Sequence, residues 1–514
     1  MRILKNYLSF FLLLISASSF AQEEMVDTAM ISRIRNEEFN HSQVAVIAHQ
    51  LTDVSGARLT NSPGYMRAAR WAASEMQKWG LANSKLERWG EFGKGWELQK
   101  NYVAMRSPYY QPLIAYTQAW SAGTKGPVKA QVVVLSKMDS ATIKTESAKL
   151  KGKIVLVGEE LNHLRSPFTA YATRYTDSQL THMGDLYYAA PNKAMTDMYT
   201  SMVTRIKNTQ QYLYQQQPLA IVTKNNNGRD GTLFTNNGTG AYKKDVNPGP
   251  PQLVLSTEDY MRLRRLLDDG STPELEMDIS VKFSTTDLSG YNVVAEIPGT
   301  DPNLKSEVVM MGGHLDSWHS GTGATDNAAG CIVMMEAVRI LKTLGVQPKR
   351  TIRIALWSGE EQGLLGSEGY VLNHFGDAQT MQLKPEHEKI SAYYNLDNGT
   401  GKIRGIFAQS NDQAAAIFQK WIAPFADLGA TTVTLKNTGS TDHESFDALG
   451  IPGFQFIQDP VEYLTRTHHS NMDTYDHLEL DDLKQGAVIV ASFVYHTAMR
   501  ENKIPRKPLP NAGK

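Results

Sequence analysis

The chain has 514 residues, too many for one hydrophobic core, so two or three domains are expected. Its 41% hydrophobic and 20% charged residues are ordinary for a folded globular chain. Lys and Arg number 52 against 53 Asp and Glu, which leaves no basic footprint for nucleic acid and no polybasic membrane patch, and points to a small solute as the partner.

The chain opens with Arg2 and Lys5, followed by an apolar run over 8–15 broken only by Ser9. Ser19-Phe20-Ala21 then places small residues at the two positions a signal peptidase reads. A secretory signal peptide over 1–21, cut after Ala21, is expected, and with it a secreted or periplasmic protein. The run is well short of the roughly 20 residues that span a bilayer, so no integral membrane anchor is expected. Cys331 is the only cysteine, which rules out an intrachain disulfide. It lies in a helical apolar pattern, where a buried inert thiol is the natural reading.

Residues 28–50 read as polar and mildly helical. Thr60-Asn61-Ser62-Pro63 reads as a turn that starts a helix, because proline is accepted in a first helical turn. The helix predicted over 64–79 carries Met66, Ala69, Ala73 and Met76 on one face, and Gly80 ends it. From 111 to 284 the texture becomes β-rich, with short apolar runs at 132–135, 154–157, 219–222 and 253–255. They are separated by a polar, Tyr-rich stretch and by Asn- and Gly-rich loops. This segment reads as a small inserted domain with no metal-ligand cluster of its own.

From Tyr291 onward strands and helices alternate. Strands are predicted at 308–311, 352–357, 390–396 and 453–457, and helices at 328–344, 367–373, 414–422 and 483–499. Continuous apolar strands alternating with helices imply an α/β domain. Its mostly parallel central sheet would be buried between two helical layers, giving a three-layer αβα arrangement. The catalytic part would then comprise 22–110 and 285–514, interrupted by the insert 111–284. In such sheets ligands bind beyond the carboxyl ends of the strands.

The chemistry-bearing residues fall there. The first strand runs into Gly313-His314-Leu315-Asp316-Ser317, and a Gly-rich loop leads to Asp326-Asn327 at a helix start. The second runs into Ser358-Gly359-Glu360-Glu361, the third into Asp397-Asn398-Gly399, and His468-His469 lies near the C-terminus. Zinc takes imidazole nitrogen and carboxylate oxygen, and a pair of metals needs a bridging carboxylate. Asp326 is assigned as the bridge, His314 and Asp397 as ligands of one zinc ion, and Glu361 and His469 as ligands of the other. Asp316 suits the carboxylate that fixes the tautomer of His314. Glu360 suits the general base that takes a proton from the attacking water and returns it to the leaving amine. Each fragment alone would read as a solvated loop; their joint placement after successive buried strands outweighs that reading, because charges there are costly unless something binds them.

Gly313-His314-Leu315-Asp316-Ser317, Asp326-Asn327-Ala328-Ala329-Gly330, Glu360-Glu361-Gln362-Gly363-Leu364-Leu365-Gly366-Ser367, Asn395-Leu396-Asp397 and His469 with Asp473-Thr474 resemble the co-catalytic zinc aminopeptidase and glutamate carboxypeptidase family. The 12-residue step from His314 to Asp326 resembles its plasma glutamate carboxypeptidase (carboxypeptidase Q) branch. The resemblance implies two zinc ions per chain, an exopeptidase or dipeptidase acting on small peptides, a protease-associated-like insert and a homodimer. It also implies a cis peptide at Asp326-Asn327, and it selects His469 over His468 as ligand. Ser440-Thr441-Asp442-His443, Trp318 and His319 are candidates for lining the pocket, against the plainer readings of polar turn and surface loop. The Tyr-rich part of the insert reads equally as a cover for the cleft or as packing. Arg404 and Arg466 are candidates for meeting a substrate carboxylate, though solvated cations are the simpler reading.

No G-x-S-x-G elbow, Walker A or dinucleotide fingerprint occurs. His387-Glu388 and His443-Glu444 lack the second histidine of H-E-x-x-H. Two alternatives stand beside the hydrolase: a single-zinc acyltransferase of the glutaminyl cyclase kind, against which the full ligand set argues, and a non-catalytic binding module, against which Glu360 argues.

Overall fold

Strands without a polar face set the frame of the molecule. The computed structural model describes residues 24–158, 166, 168–185, 193–224, 228–235 and 238–511; the expected signal peptide lies outside them. An eight-stranded sheet runs in the order Ala82–Glu91, Ser289–Ile297, Thr351–Trp357, Val308–His314, Ile390–Asn395, Gly453–Gln458, Ile403–Phe407, Thr432–Thr434. The four strands Thr351–Trp357, Val308–His314, Ile390–Asn395 and Gly453–Gln458 are mutually parallel, and antiparallel strands flank them on both sides. Ile390–Asn395 and Gly453–Gln458 are buried along their whole length, as apolar strands covered on both faces must be.

One face carries the larger helical layer. Thr28–His41, Pro63–Lys78, Ala329–Thr343, Asp412–Ile422 and Leu480–Met499 close over a core that includes Ile332, Met335, Ile354, Tyr394, Phe418, Phe454 and Phe493. Full burial of each such side chain contributes about 1.5–3 kcal/mol. The opposite face is thinner. Leu365–His374 and His443–Asp447 pack Tyr370, Val371 and Phe446 against Met310, Trp357 and Tyr393. The helix expected over 64–79 forms as Pro63–Lys78, capped by Ser62 accepting from the Tyr65 N–H. Its buried face is Tyr65, Ala68, Ala69, Ala72 and Met76, rotated from the expected one, so Met66 and Ala73 sit only at the margin of the core.

A second eight-stranded sheet forms the inserted unit. Its strands include Gly95–Ser107 and Glu274–Ser284, the two pairing antiparallel along nearly their full length. Val128–Leu135, Ile154–Val157, Ala220–Lys224 and Gln252–Leu255 complete its centre, over a core containing Leu156, Val222, Tyr260 and Met277. No helix among the described residues is long and apolar enough to cross a membrane.

A buried acidic pair gives the larger layer a pH-dependent stability. Glu38 and Glu336 meet beneath Arg339, and burial, then hydrogen bonding and repulsion from Glu336, push Glu38 up to about 9. The native state therefore holds a proton on this pair that the unfolded chain, with an ordinary carboxyl, releases at lower pH. Stability is then highest at or below the ordinary carboxylate range and falls as pH rises towards about 9. Glu38→Gln carries the proton-like amide at every pH. Urea unfolding between pH 5 and 9 should show stability falling less steeply with pH in the variant than in the wild type; parallel pH profiles would exclude this pair as a cause.

Candidate metal centre

Each functional side chain is delivered by a strand end or by the loop that follows it. His314 is the last residue of Val308–His314, and Asp326 stands at the entry to Ala329–Thr343. Glu360 and Glu361 follow Thr351–Trp357, Asp397 follows Ile390–Asn395, and His468 and His469 lie in the loop beyond Gly453–Gln458. All seven line one cavity of about 550 Å³, together with Leu364, Asn398, Ser440, Thr441, Tyr463 and Leu464.

Asp326 lies between two imidazoles. Its Oδ1 is 3.2 Å from His314 Nε2, and its Oδ2 is 3.0 Å from His469 Nε2. Asp397 Oδ1 is 3.2 Å from His314 Nε2, and Glu361 Oε2 is 3.0 Å from His469 Nε2. His468 Nε2 stands farther off, 3.7 Å from Asp326 Oδ2, with its ring stacked on that of His469. Glu361 Oε1 is buried with no hydrogen-bond partner, and Asp326 Oδ2 is buried with no aligned hydrogen bond despite the nearby His469 Nε2. Carboxylates buried in this state call for a cation. Oxygen and imidazole donors arranged on both sides of one carboxylate fit a pair of zinc-like ions, so the residues present suit the metal.

The electrostatics follow from crowding. Burial works against ionisation of Asp326, but His469, His314 and His468 more than offset it and hold its carboxyl well below the usual range. Burial likewise opposes a charge on His314, yet Asp397, Glu360 and Asp326 push it well up. Glu361 is pushed up to about 7, mainly by burial, with His469 opposing. Burial, reinforced by Asp397, Asp442 and Glu361, pushes Glu360 well above the usual range.

The surrounding shell departs from expectation in one respect. The His314 Nδ1 partner is the Asp316 carbonyl oxygen at 3.0 Å, while the nearest Asp316 carboxylate oxygen is 3.7 Å away. The Asp316 carboxylate serves Glu360 and Glu361 instead. It accepts from Thr60 Oγ1 at 2.8 Å and, at longer range, from the Glu360 and Glu361 N–H groups at 3.3 and 3.4 Å. It thus holds the backbone of Glu360 and Glu361 from behind.

Several positioning groups carry little signal in the sequence. Arg58 is fully buried and donates to the carbonyls of Leu51, Leu315, Thr322 and Gly323, pinning the loop between His314 and Asp326. Asp473 accepts from the Thr325 N–H and hydroxyl at 2.6 and 2.8 Å and from the Asp326 N–H at 3.2 Å. Asn327 donates to the Leu396 carbonyl and accepts from the Gly330 N–H. Gly330 is required here, since a Cβ would lie 2.1 Å from the Leu396 oxygen. The Asp326–Asn327 peptide bond is cis, as the family resemblance implied.

Other candidates resolve by position. Ser440 and Thr441 line the cavity, whereas Asp442 and His443 are buried behind it. Trp318 and His319 do not line it. Trp318 packs on Trp120 and the His469 ring, and His319 Nε2 donates to the Thr117 carbonyl, 2.6 Å away. Both therefore join the catalytic unit to the insert. Arg404 pairs with Asp459 outside the cavity, and Arg466 pairs with Glu462 and covers the Tyr171 ring. Among the described residues that line the cavity there is no Lys or Arg. Tyr463 does line it, a residue that sequence reasoning passed over because a lone Tyr in a loop carries no spacing signal.

Comparison with known proteins places this geometry. Residues 292–494, which contain every metal-donor candidate, match the sequence model of Peptidase family M28. Carboxypeptidase Q of Mus musculus is 26% identical over 457 residues, covering 89% of this chain and 86% of the relative. The crystal structure of a peptidase M28 precursor from Shewanella amazonensis superposes with a TM-score of 0.69 at 23% identity, covering 94% of this chain and 98% of that one. BSAP, a zinc aminopeptidase from Bacillus subtilis, gives 0.57 at 20% identity, covering 89% and 95%. The solved structures share the fold, and the match to peptidase family M28 falls on residues 292–494, the segment that bears the site: this geometry is that of a metallopeptidase.

Proposed function

We propose that this chain is an exported exopeptidase that holds two zinc ions and removes residues from the free amino end of small peptides. The observation that carries the metal reading is Asp326, whose two oxygens face two different histidines, each backed by a further carboxylate. His314 and Asp397 would hold one ion, Glu361 and His469 the other, and Asp326 both. When bound, the ions would polarise the scissile carbonyl and acidify water. Glu360 accepts the proton from the attacking water and delivers it to the leaving amine nitrogen. The Tyr463 phenol is kept protonated by burial and by Asp326, Asp397 and Glu361, which leaves it a donor to the carbonyl oxygen as negative charge develops there. Export is supported by the N-terminal sequence, and the unit between Gly95 and Ser284 is read as a protease-associated-like insert.

Recognition of an amine is supported by the cavity wall, where no Lys or Arg among the described residues awaits a substrate carboxylate. A carboxypeptidase reading is supported by the relatives of that name aligned along most of the chain. Dipeptides acetylated at the amine or amidated at the carboxyl separate the two. Cleavage of the amidated but not the acetylated form is expected. The reverse pattern would establish the carboxypeptidase reading, and no cleavage of any unblocked dipeptide would sink both.

A further inference from the structure

The loop that carries His469 is held from outside the catalytic unit. Residues 459–473 run along the inserted unit and are tied to it by two separate segments. At the near end, the Thr173 N–H donates to the Val461 carbonyl at 2.8 Å, and the Thr465 hydroxyl donates to the Tyr171 carbonyl at 2.6 Å. Arg174 donates to Asp459 at 3.0 Å and to Asp482 at 2.6 Å, and Asp459 is fully buried. At the far end, the Thr235 N–H donates to the His469 carbonyl at 2.8 Å. Asn471 completes the seam. Its Oδ1 accepts from the Leu233 N–H at 2.9 Å, its own N–H donates to the Leu233 carbonyl at 3.1 Å, and its Nδ2 donates to the Gly231 carbonyl at 3.2 Å.

His469 needs such support. Its backbone has φ 61, in the left-handed region that L-residues adopt only at a cost and only when their surroundings over-determine them. The loop's ties on the catalytic side lie before and beyond His469, from Thr325 to Thr467 at 2.8 Å and from Thr325 and Asp326 to Asp473, and none of them reaches the His469 backbone itself. The carbonyl of His469 itself is taken by the insert. Trp318, against the edge of the His469 ring, is in turn packed on Trp120 of the insert.

From these contacts we infer that the insert is the scaffold that sets His469, with Asn471 as the positioning residue that transmits it. The inference rests on the reading of His469 as a metal ligand. Docking of the insert thereby selects the ion held by Glu361 and His469, while the ion held by His314 and Asp397 depends on the catalytic unit alone. Groups behind a metal ligand typically change metal affinity by about 10–100-fold when removed.

The test is zinc binding by the full-length mature protein, measured by competition with a chromophoric chelator. Asn471→Ala should weaken one of the two ions about 10–100-fold and leave the other at wild-type affinity. A merely structural defect would weaken both along with thermal stability. Arg174→Ala, at a half-exposed position and with Arg404 still pairing Asp459, should weaken the same ion more modestly, and Arg174→Lys should recover it. Wild-type affinity for both ions in Asn471→Ala and Arg174→Ala, alongside loss of one ion in His469→Ala, would overturn the scaffold inference alone. Retention of both ions by His469→Ala would overturn the ligand reading, and the inference with it.

Discussion

Replacing Glu360 with glutamine should lower kcat by about 10²–10⁴-fold while leaving the fold, the zinc content and KM close to wild type. The substitution keeps size and shape and removes only the proton acceptor. That is the role proposed for Glu360, which stands farther from the imidazoles than the other carboxylates. Its nearest imidazole approach is 3.9 Å, to His314 Nε2, against 3.0–3.2 Å for the carboxylates of Asp326, Asp397 and Glu361. Its N–H is directed to Asp316 at 3.3 Å, which turns the side chain towards the cavity. Burial and the neighbouring carboxylates raise its proton affinity, as a base that must later act as an acid requires. The measurement is steady-state hydrolysis of an unblocked dipeptide together with zinc analysis of the same preparations. Wild-type turnover by the glutamine variant would move the base to another residue. A parallel loss of zinc would make Glu360 a ligand instead.

The contrast between what the sequence disclosed and what it hid follows from the range of each interaction. The strands Val308–His314, Thr351–Trp357, Ile390–Asn395 and Gly453–Gln458 are legible because burial on both faces makes them continuous apolar runs. The residues just past their ends then announce themselves as charges where charge is expensive. Ala82–Glu91 escaped because it is an edge strand whose exposed positions carry Asn, Lys, Arg and Glu, which reads as loop. The strand Gly95–Ser107 escaped for a related reason: it is half polar, and only its pairing with Glu274–Ser284, far along the chain, reveals it. Asp316 was visible as an acid two residues from His314, yet its geometry depends on how the Glu360 turn folds back on it. Arg58 and Asn471 have no local signal at all. Each works by meeting backbone carbonyls or N–H groups that lie hundreds of residues away in the chain.

Stripping the metal with a chelator should abolish turnover and lower Tm by several degrees, with zinc restoring both, and Asp326→Ala should lose both responses. A ligand that binds only the native state stabilises it by about 4 kcal/mol when present at a thousand times its dissociation constant. The apparent stability of the wild type should therefore rise with free zinc, while a protein with no site stays level. Asp326 discriminates more sharply than any other position. Asp397→Ala removes a group that faces only His314, and Glu361→Ala one that faces only His469 among the imidazoles. Asp326 presents one oxygen to each histidine, so its removal opens both sides of the centre at once. The expected series is two ions in the wild type, one in Asp397→Ala, and none in Asp326→Ala at equal free zinc. Two ions retained by Asp326→Ala would show that the histidines and outer carboxylates suffice for separate sites, and the shared-carboxylate arrangement would fall.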